Sequence, residues 1–429
     1  MDRVWKQFDT NDSIAERLAL WSSKSEFGFC FRGDGWGAKN NSKFAALAGI
    51  GVFANYSGTL KEASDFVDQA NDYVFSSLSY NLKNELENLS SNNPTSIEIK
   101  PFLLTIPEVV VIEGEGQVRI GIRGEILSQK AHEDVLSDIE NIKSNPSQQQ
   151  ASKPNLKWSR NEYLTKIRKT KDYIQLGEIY QANICQEINW SQAQIQPALL
   201  FNRGYENNPN PFSVYVRLNN KHILSWSPER FLSLNDREVL SQPMKGTAPR
   251  GIDKKEDDML KAQLAKSEKD RRENVMIVDM VRNDLSHFAE KKSVHVPELY
   301  KIDTYPSVHQ MHSTVKSILR TEVSQFSALL KAFPMASMTG APKVRAMQVI
   351  DDIESSGRGM FSGSIGFFAP NGKADFNVVI RTLIYDDIKQ LLSAHVGGGI
   401  TALSDEESEY EECLVKLDPI RKLLYEIEK

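Results

Sequence analysis

The amino-acid sequence predicts an α+β fold whose sheets are mainly antiparallel. Runs typical of strands occur in groups and runs with helical periodicity occur in blocks, which is the element order of α+β proteins. The sequence contains no βαβ unit with a glycine-rich phosphate loop, so a nucleotide-binding fold is not expected. At 429 residues, of which 40% are hydrophobic and 25% charged, the chain is long enough to bury a core of ordinary size.

A polar segment at residues 144–155 is the first predicted boundary. It contains two prolines and three consecutive glutamines and has no periodicity, which is typical of a linker or an exposed loop. Residues 1–150, with strand-like runs at 109–112 and 118–122, are expected to form an N-terminal portion of the fold. Residues 157–429 are expected to form the domain that carries the motifs.

Local signals predict the elements after this boundary. Ser159 and Glu162 have the spacing of a capping box, so a helix is expected to begin there, and Gly177 is expected to end it. Residues 179–190 alternate like a strand, with Gln181 on one face. Further strands are predicted at 213–218, 223–226, 364–368, 378–385 and 391–396. Further helices are predicted at 255–266, 271–288, 324–332, 341–353 and 404–428.

Charge and cysteine content argue against several classes of protein. The formal net charge is −5, whereas nucleic-acid-binding proteins usually have a basic surface, so no nucleic-acid partner is expected. The longest apolar run, residues 44–54, is too short to span a bilayer, and the N-terminus lacks the apolar stretch of a signal peptide. Cys30, Cys185 and Cys413 form neither a CxxC pair nor a metal-binding spacing, which suits a reducing compartment. A cytoplasmic protein without a membrane segment is therefore expected.

Two pairs of carboxylates are candidates for binding a metal ion. Asp270 and Glu273 are three residues apart at the start of one predicted helix, and Glu409 and Glu412 have the same spacing on the last helix. Residues three apart share a helix face, and four converging carboxylates would repel one another unless a divalent cation such as magnesium lay between them. The alternative is two solvated helix faces, with Glu412 and Lys416 forming an ion pair.

A lysine between a proline and a glycine marks a second candidate site. Lys245 precedes Gly246 and Thr247 directly after a strand-like run, so the backbone amides of this turn are open to an anion. A lysine that loses its proton in a dry pocket is a nucleophile. An ordinary surface turn is the alternative.

Three further features are candidates for anion binding. Thr339 precedes a predicted helix whose N-terminus would attract an anion, although it also fits an ordinary helix entry. Arg381 lies in an otherwise apolar predicted strand, where it needs a carboxylate partner from a ligand or from the protein. Gly397, Gly398 and Gly399 would let a ligand approach the backbone, unless they form only a flexible turn.

Ordered motifs over residues 158–425 resemble those of the chorismate-utilising enzymes. That family contains anthranilate, aminodeoxychorismate, isochorismate and salicylate synthases. The motifs are YQAN at 180–183, SPERF at 227–231, PMKGT at 243–247, ENVMIVD at 273–279, RND at 282–284, TGAPK at 339–343, NVVIRT at 377–382, GGG at 397–399 and the helix with Glu409, Glu412 and Lys416. The number and order of these motifs argue against a chance match, although the first 150 residues match more loosely.

The resemblance implies the architecture and the metal. It implies two mainly antiparallel sheets packed face to face with helices outside, and it makes residues 157–429 the chorismate-binding catalytic domain. It also implies that Glu273 and Glu412 bind magnesium, which holds the ring carboxylate of chorismate, with Asp270 and Glu409 as water-mediated partners. Arg381 and the backbone of residues 397–399 would bind the enolpyruvyl carboxylate. The residues implied to line the rest of the site are Gly246, Thr247 and Thr339.

Two positions distinguish the reactions of the family. Isochorismate and salicylate synthases have a lysine base where this chain has Gln181, so attack of water on the ring is not expected. Anthranilate synthases have alanine at the position of Lys245, whereas aminodeoxychorismate synthases have lysine. The resemblance therefore implies amination of chorismate at C4 to 4-amino-4-deoxychorismate, a step of para-aminobenzoate and folate biosynthesis. Lys245 would attack C2 of the ring while Glu229 protonates the departing 4-hydroxyl, and ammonia would then add at C4 and expel the lysine.

The ammonia needs a source. None of the three cysteines lies in a glycine-flanked elbow like that of class I amidotransferases, so a separate glutaminase subunit is expected as a partner. Two departures from the family pattern are Gln310, where many members have histidine, and Phe361, where some have a substrate-binding tyrosine. The alternatives are an anthranilate synthase component I, which is a lyase, and an inactive chorismate-binding subunit.

Overall fold

Two antiparallel sheets with helices on their outer faces form the fold. The computed structural model describes residues 2–10, 12–36, 44–127, 129, 131–144, 149–306 and 308–425. The strands are β1 Arg3–Asp9, β2 Phe27–Arg32, β3 Ala46–Ile50, β4 Ala54–Tyr56, β5 Val74–Leu78, β6 Phe102–Ile106, β7 Val109–Gly114, β8 Gln117–Arg123, β9 Asn155–Leu156, β10 Gln181–Trp190, β11 Phe212–Leu218, β12 Lys221–Ser227, β13 Arg230–Asn235, β14 Glu238–Gln242, β15 Met244–Pro249, β16 His295–Thr304, β17 Val308–Ile318, β18 Gly340–Ala341, β19 Ser364–Phe368, β20 Lys373–Asn377, β21 Thr382–Asp386 and β22 Leu391–Thr401. The helices are α1 Ala15–Ser22, α2 Leu60–Ala70, α3 Lys83–Leu86, α4 Gly124–Leu127, α5 His132–Glu140, α6 Arg160–Gln175, α7 Pro197–Asn207, α8 Lys254–Lys266, α9 Glu268–Ser286, α10 Gln325–Ala332, α11 Lys343–Ile353 and α12 Glu406–Tyr425.

The strands form a twelve-stranded sheet, sheet A, and a ten-stranded sheet, sheet B. Sheet A has the order β1-β8-β7-β3-β2-β11-β12-β21-β22-β10-β18, with β9 beside β10. Sheet B has the order β15-β17-β14-β13-β20-β19-β5-β6-β4, with β16 beside β17. Neighbouring strands are antiparallel, which confirms the predicted α+β class. Strands from residues 1–150 and from residues 157–429 therefore build the same two sheets.

An aromatic core fills the space between the sheets. The ring of Phe31, on β2 of sheet A, lies 5.2 Å from that of Phe75 and 5.4 Å from that of Phe367, both on sheet B. These edge-to-face contacts place the inner faces of the two sheets against each other. Helices cover the outer faces of the sheets. Tyr163 of α6 belongs to the hydrophobic cluster against sheet A, and Val281 of α9 belongs to the hydrophobic cluster against sheet B. The implied face-to-face architecture is confirmed.

Local signals located the helix that leads into the motif-bearing region. The Ser159 hydroxyl accepts a hydrogen bond from the backbone N–H of Glu162 at 3.4 Å, and the Glu162 carboxylate accepts one from the backbone N–H of Ser159 at 2.8 Å. This is the predicted capping box, and α6 begins directly after it. The helix ends just before Gly177, whose φ of +74° suits glycine.

Two predicted elements differ from the structure, and the predicted linker is described only in part. Residues 145–148 of the linker lie outside the described residues. Gln149 is buried and Gln150 pairs with Gln194, but Gln150, Lys153 and Asn155 are exposed, as expected for a loop. The helix predicted at 341–353 begins at Lys343, because Pro342 occupies its N-cap. The strand predicted at 378–385 begins only at Thr382. The last helix ends the described part of the chain, and its predicted continuation to residue 428 is outside it.

No helix in the described part of the chain has the length and apolar character needed to cross a membrane.

Candidate active site

Two of the places where the chain crosses between the sheets are neighbours, and each carries a predicted site residue. Glu229 lies between β12 of sheet A and β13 of sheet B, and Arg381 lies between β20 of sheet B and β21 of sheet A. The crossings are bonded to each other: the Val378 N–H donates to the Glu229 carbonyl at 3.0 Å, and the Ser227 hydroxyl donates to the Val378 carbonyl at 2.6 Å. The fold therefore holds an acid and a cation side by side.

Arg381 does not lie within a strand, and that prediction is wrong. The chain is leaving sheet B at this point, and Arg381 adopts a left-handed backbone conformation with φ +51°, which is uncommon for a residue with a side chain. Its guanidinium donates to the Asn210 side-chain oxygen at 3.4 Å. Burial lowers its pKa, although Glu229 and Tyr305 oppose this. Among the described residues, no carboxylate forms an ion pair with it, so its charge is open to an anionic ligand.

Glu229 is a buried carboxyl group that holds its proton unusually well. Its exposed fraction is 5%, and burial raises its pKa to about 7. Ser337 and the charges of Lys245 and Arg381 favour the ionised form but do not cancel the effect of burial. A large share of Glu229 is therefore protonated at neutral pH, as a general acid requires.

Lys245 lies on a β-bulge of sheet B that faces sheet A. The register between β15 and β17 shifts between Met244 and Thr247, and Gly246 has φ +88°. A Cβ atom at Gly246 would stand 2.9 Å from that of Asp270, so only glycine lets the bulge approach α9 this closely. The Lys245 amine lies 2.9 Å from the position that a Cβ atom would take at Gly399. The lysine therefore reaches from sheet B to β22 of sheet A and is not in an ordinary surface turn.

The three consecutive glycines are part of a strand, so the alternative of a flexible turn is wrong. In β22, Gly397, Gly398 and Gly399 pair with residues 185, 184 and 183 of β10. A Cβ atom at Gly398 would stand 3.1 Å from the Glu409 carboxylate and 4.0 Å from that of Glu412. Successive residues of a strand face opposite sides, so the bare backbone separates the α12 carboxylates from Lys245.

The four predicted metal-binding carboxylates influence one another. Burial raises the pKa of Glu273, and the charges of Glu409 and Asp270 raise it further. Burial likewise raises the pKa of Glu409, with Glu412 adding to it. Burial also acts on Glu412, but Lys416, 2.8 Å away, more than offsets it and leaves the pKa lowered. The carboxylates of α9 and α12 thus face one region, in which negative charges accumulate.

Lysines neutralise part of this charge. The ion pair of Glu412 with Lys416 is the one that the alternative interpretation predicted, and Lys269 lies 4.0 Å from Glu409. In the described part of the chain, no three or more His, Cys, Asp or Glu side chains converge closely enough to hold a metal ion. The candidate donor atoms on α9 and α12 are all carboxylate oxygens, which magnesium prefers, so their chemistry fits that metal. In this structure, Glu409 and Glu412 form ion pairs with lysines instead.

The remaining predicted residues lie on the elements around this region. Gln181 is buried on β10 between β18 and β22. Thr339 is buried, and its hydroxyl donates to the Met335 carbonyl at 3.1 Å. The Thr247 hydroxyl donates to the side-chain oxygen of Gln310 at 3.0 Å, which places Gln310 beside the Lys245 bulge.

Sequence reasoning missed a buried ion pair behind the site. Arg358 and Glu354 are joined at 2.6 Å, and both side chains are almost fully buried. Arg358 also donates to the carbonyls of Asn183 at 2.6 Å and Met338 at 2.7 Å, while Glu354 accepts from the Cys185 N–H at 2.8 Å. The pair fixes β10 and the turn before Thr339. Its i, i+4 spacing was visible in the sequence but is also that of an ordinary surface pair.

Comparison with known proteins agrees with this geometry. The family model described as chorismate binding enzyme matches residues 21–422. Aminodeoxychorismate synthase component 1 of Escherichia coli is 41% identical over 273 residues, covering 63% of this chain and 58% of that protein. The chloroplastic aminodeoxychorismate synthase of Arabidopsis thaliana is 41% identical over 261 residues, covering 60% of this chain but only 28% of that protein.

A solved structure shows the same fold over nearly the whole chain. The menaquinone-specific isochorismate synthase of Escherichia coli superposes with a TM-score of 0.81 at 17% identity, covering 99% of this chain and 94% of that one. At this identity the likeness establishes the fold, while the sequence match establishes the family. The chain therefore belongs to the family of chorismate binding enzymes.

Proposed function

We propose that this chain aminates chorismate at C4 to 4-amino-4-deoxychorismate, in para-aminobenzoate and folate biosynthesis. The matched relatives named as aminodeoxychorismate synthases support this assignment. The observation that carries it is the position of Lys245, whose amine faces the bare backbone of Gly399 and lies within electrostatic reach of Glu229, a buried acid with a pKa of about 7. This arrangement offers a nucleophile and an acid to one ligand.

Lys245 supplies the electron pair in the first step of the proposed reaction. Its neutral amine forms a bond to C2 of the ring, both ring double bonds shift by one position towards C4, and the bond from C4 to its hydroxyl breaks. Glu229 gives its proton to the departing oxygen, which leaves as water. Ammonia then bonds to C4 and returns a proton to Glu229, both double bonds shift back, and the Lys245 amine leaves C2 with its electron pair. The nucleophile lies on the bulge of sheet B and the acid at the crossing from sheet A to sheet B, so one ligand can contact both.

Two groups of charged residues would hold the two carboxylates of chorismate. Arg381, which lacks an ion pair among the described residues, would bind the enolpyruvyl carboxylate with the backbone of residues 397–399. Glu273 and Glu412 would hold magnesium, with Asp270 and Glu409 as water-mediated partners. The metal, when bound, would neutralise the carboxylates and attract the ring carboxylate of the substrate. Lys416 would then have to release Glu412.

A separate glutaminase subunit is the proposed source of ammonia. All three cysteines are buried, and burial raises the pKa of Cys30 and of Cys185 to about 12. A thiol with such a pKa is a poor nucleophile, so neither suits glutamine hydrolysis. The word component in the name of the Escherichia coli relative also supports a partner.

A cytoplasmic location stays a prediction.

Product analysis tests the proposed reaction. The purified chain would be incubated with chorismate, magnesium chloride and ammonium chloride, and the products identified by mass spectrometry, beside Lys245→Ala and the exposed control Lys331→Ala. We expect an aminated product that retains the enolpyruvyl group, made by the wild type and Lys331→Ala only. Anthranilate with released pyruvate would identify a lyase instead. Glutamine hydrolysis by the chain alone would contradict the proposed partner.

A further inference from the structure

The bulge that carries Lys245 interrupts the regular pairing of β15 with β17. Between the pairs Met244↔His312 and Thr247↔Gln310, β15 advances by three residues and β17 by two. Lys245 and Gly246 therefore stand together opposite the single residue Met311, and a bulge of this kind leaves its extra residue unpaired. Backbone groups at a bulge need partners from outside the ladder, or the bulge is free to change shape.

The side chain of Gln310 supplies such a partner. Its amide nitrogen donates to the Gly246 carbonyl at 2.9 Å, and its amide oxygen accepts from the Thr247 hydroxyl at 3.0 Å. Gln310 is 6% exposed, so water does not compete freely for these bonds. Both ends of one amide thus bind the two residues that follow Lys245, and an amide can donate and accept at once without titrating.

The neighbouring histidine does not take part. His309 is 1% exposed, and its two ring nitrogens lie 3.0 Å from the Asp257 carboxylate and 3.0 Å from the Thr304 hydroxyl. Adjacent residues of a strand face opposite sides, so His309 points away from the bulge while Gln310 points toward it. The contact to the bulge therefore belongs to position 310.

We infer that Gln310 is a positioning residue that holds the Lys245 bulge in the shape required for attack on the substrate. This inference rests on the proposed function, because the amine must stand at a fixed distance from the reacting carbon. Misplacement of a reacting group by about 1 Å costs on the order of 100-fold in rate. Gln310 touches neither the substrate nor the amine in this proposal; it acts through the backbone of residues 246 and 247.

The isosteric variant Gln310→Glu separates positioning from packing. Its introduced carboxylate can still accept from Thr247 but cannot donate to the Gly246 carbonyl, and it regains a donor only when protonated. The charged groups around it, Lys245 on the bulge, Asp270 beside Gly246 and Asp303 opposite on β16, are the same in the wild type. The ratio of variant to wild-type rate therefore removes the pH dependence that the two proteins share, and the hydrogen–deuterium exchange of residues 244–249 reports on the bulge itself.

The chain offers a matched control in Gln325→Glu. The Gln325 amide also donates to a glycine carbonyl, that of Gly372, at 2.6 Å, but it lies at the start of α10 and away from the bulge. We would measure kcat and KM for chorismate with ammonium as nitrogen donor from pH 6 to 8.5, identify the product, and record hydrogen–deuterium exchange of residues 244–249.

For Gln310→Glu we expect kcat at pH 8 to fall by more than about tenfold with KM within about twofold. We also expect the ratio to the wild-type kcat to recover as the pH falls, and faster exchange of residues 244–249. Gln325→Glu should leave the kcat at pH 8, the ratio to the wild-type kcat across the pH range and the exchange of residues 244–249 unchanged.

An unchanged kcat and exchange in Gln310→Glu would overturn the inference, as would a loss seen only in KM or one shared by Gln325→Glu. The proposed function fails separately if the wild type makes no aminated product. In that case the exchange of residues 244–249 still decides whether Gln310 holds the bulge.

Discussion

Two buried regions of this protein combine a glutamate with a nearby cation, and they solve the electrostatic problem differently. In one, Arg358 contacts the Glu354 carboxylate at 2.6 Å and uses its other N–H groups on the carbonyls of Asn183 and Met338. In the other, Glu229 is equally buried, but Lys245 and Arg381 influence it without forming an ion pair with it in the described structure.

The difference separates a structural ion pair from a reactive site. A buried pair with all its hydrogen bonds satisfied holds backbone segments together and has no capacity left for a ligand. Burial raises the pKa of both glutamates, but Glu229, with a pKa of about 7, lacks a direct cationic partner, and Arg381 keeps an open guanidinium. A dianionic substrate would therefore meet a protonated carboxyl group and a guanidinium without an ion pair where the chain crosses between the sheets.

Removal of the Lys245 amine should have the largest effect. Lys245→Ala is expected to lower kcat by a factor on the order of 10³ or more, because it deletes the proposed nucleophile. The melting temperature should change by no more than a few degrees, since the amine forms no ion pair in the described structure. Steady-state kinetics and thermal unfolding check both statements. Activity within tenfold of the wild type would contradict the role of the lysine.

The structural pair should respond in the opposite way. Glu354→Gln leaves the buried Arg358 without its counter-charge and is expected to lower the free energy of unfolding by about 3–5 kcal/mol. Urea denaturation measures this loss, with Glu407→Gln as the control because its ion pair with Arg160 is exposed. Equal stability of the two variants would mean that the Glu354–Arg358 pair does not hold the fold.

An isosteric change at Glu229 should reduce activity and yet stabilise the protein at alkaline pH. Glu229→Gln removes the proposed general acid, so kcat is expected to fall by about 100-fold. The wild-type rate should decline as the pH rises through about 7, because the protonated form acts, and the variant should lack this decline.

The same pKa has a consequence for folding. Because burial raises the pKa of Glu229 above its ordinary 4.5, its contribution to stability is complete below about pH 4.5 and is lost as the pH rises through about 7. Above pH 7, Glu229→Gln should therefore gain up to about 3 kcal/mol over the wild type. Urea denaturation at pH 6 and 8.5 checks this sign. A variant less stable than the wild type at pH 8.5 would contradict it.

Substitution of Glu412, the partly exposed member of the four carboxylates, should have the smallest effect. Glu412→Gln is expected to raise the magnesium concentration needed for half-maximal activity by roughly tenfold, with a smaller effect on the rate at saturating metal. Magnesium titrations of the wild type, Glu412→Gln and the exposed control Glu411→Gln measure it. An unchanged requirement would remove Glu412 from the proposed metal site.

The sequence predicted what depends on local signals and missed what depends on distant contacts. The Ser159–Glu162 capping box is a short pattern with a local physical cause, and the structure contains it. The glycine after Lys245 has the expected positive φ, but the predicted turn is a bulge within β15. Arg381 was wrongly placed in a strand, because an apolar run of residues does not show where the chain leaves one sheet for the other. The Glu354–Arg358 pair is buried only by tertiary packing, so its spacing alone resembled that of a surface pair.

The convergence of the two carboxylate pairs could be predicted only in part from local signals. Their spacing placed each pair on one helix face, but nothing local indicated that α9 and α12 would approach the same region. That expectation came from the family resemblance, and the mutual influence of Glu273 and Glu409 agrees with it. The contact of Gln310 with the bulge likewise depends on the register of β15 and β17, which the sequence did not specify.

The most direct test of the account is to look for the covalent bond to Lys245. Without ammonia the second step cannot proceed, so wild-type protein mixed with chorismate and magnesium should gain the mass of chorismate minus one water. Peptide mapping should place this mass on Lys245, and added ammonium should discharge it as 4-amino-4-deoxychorismate. A wild-type protein that turns over chorismate with ammonium but never carries such an adduct, or carries it on another residue, would contradict the central claim that Lys245 is the nucleophile.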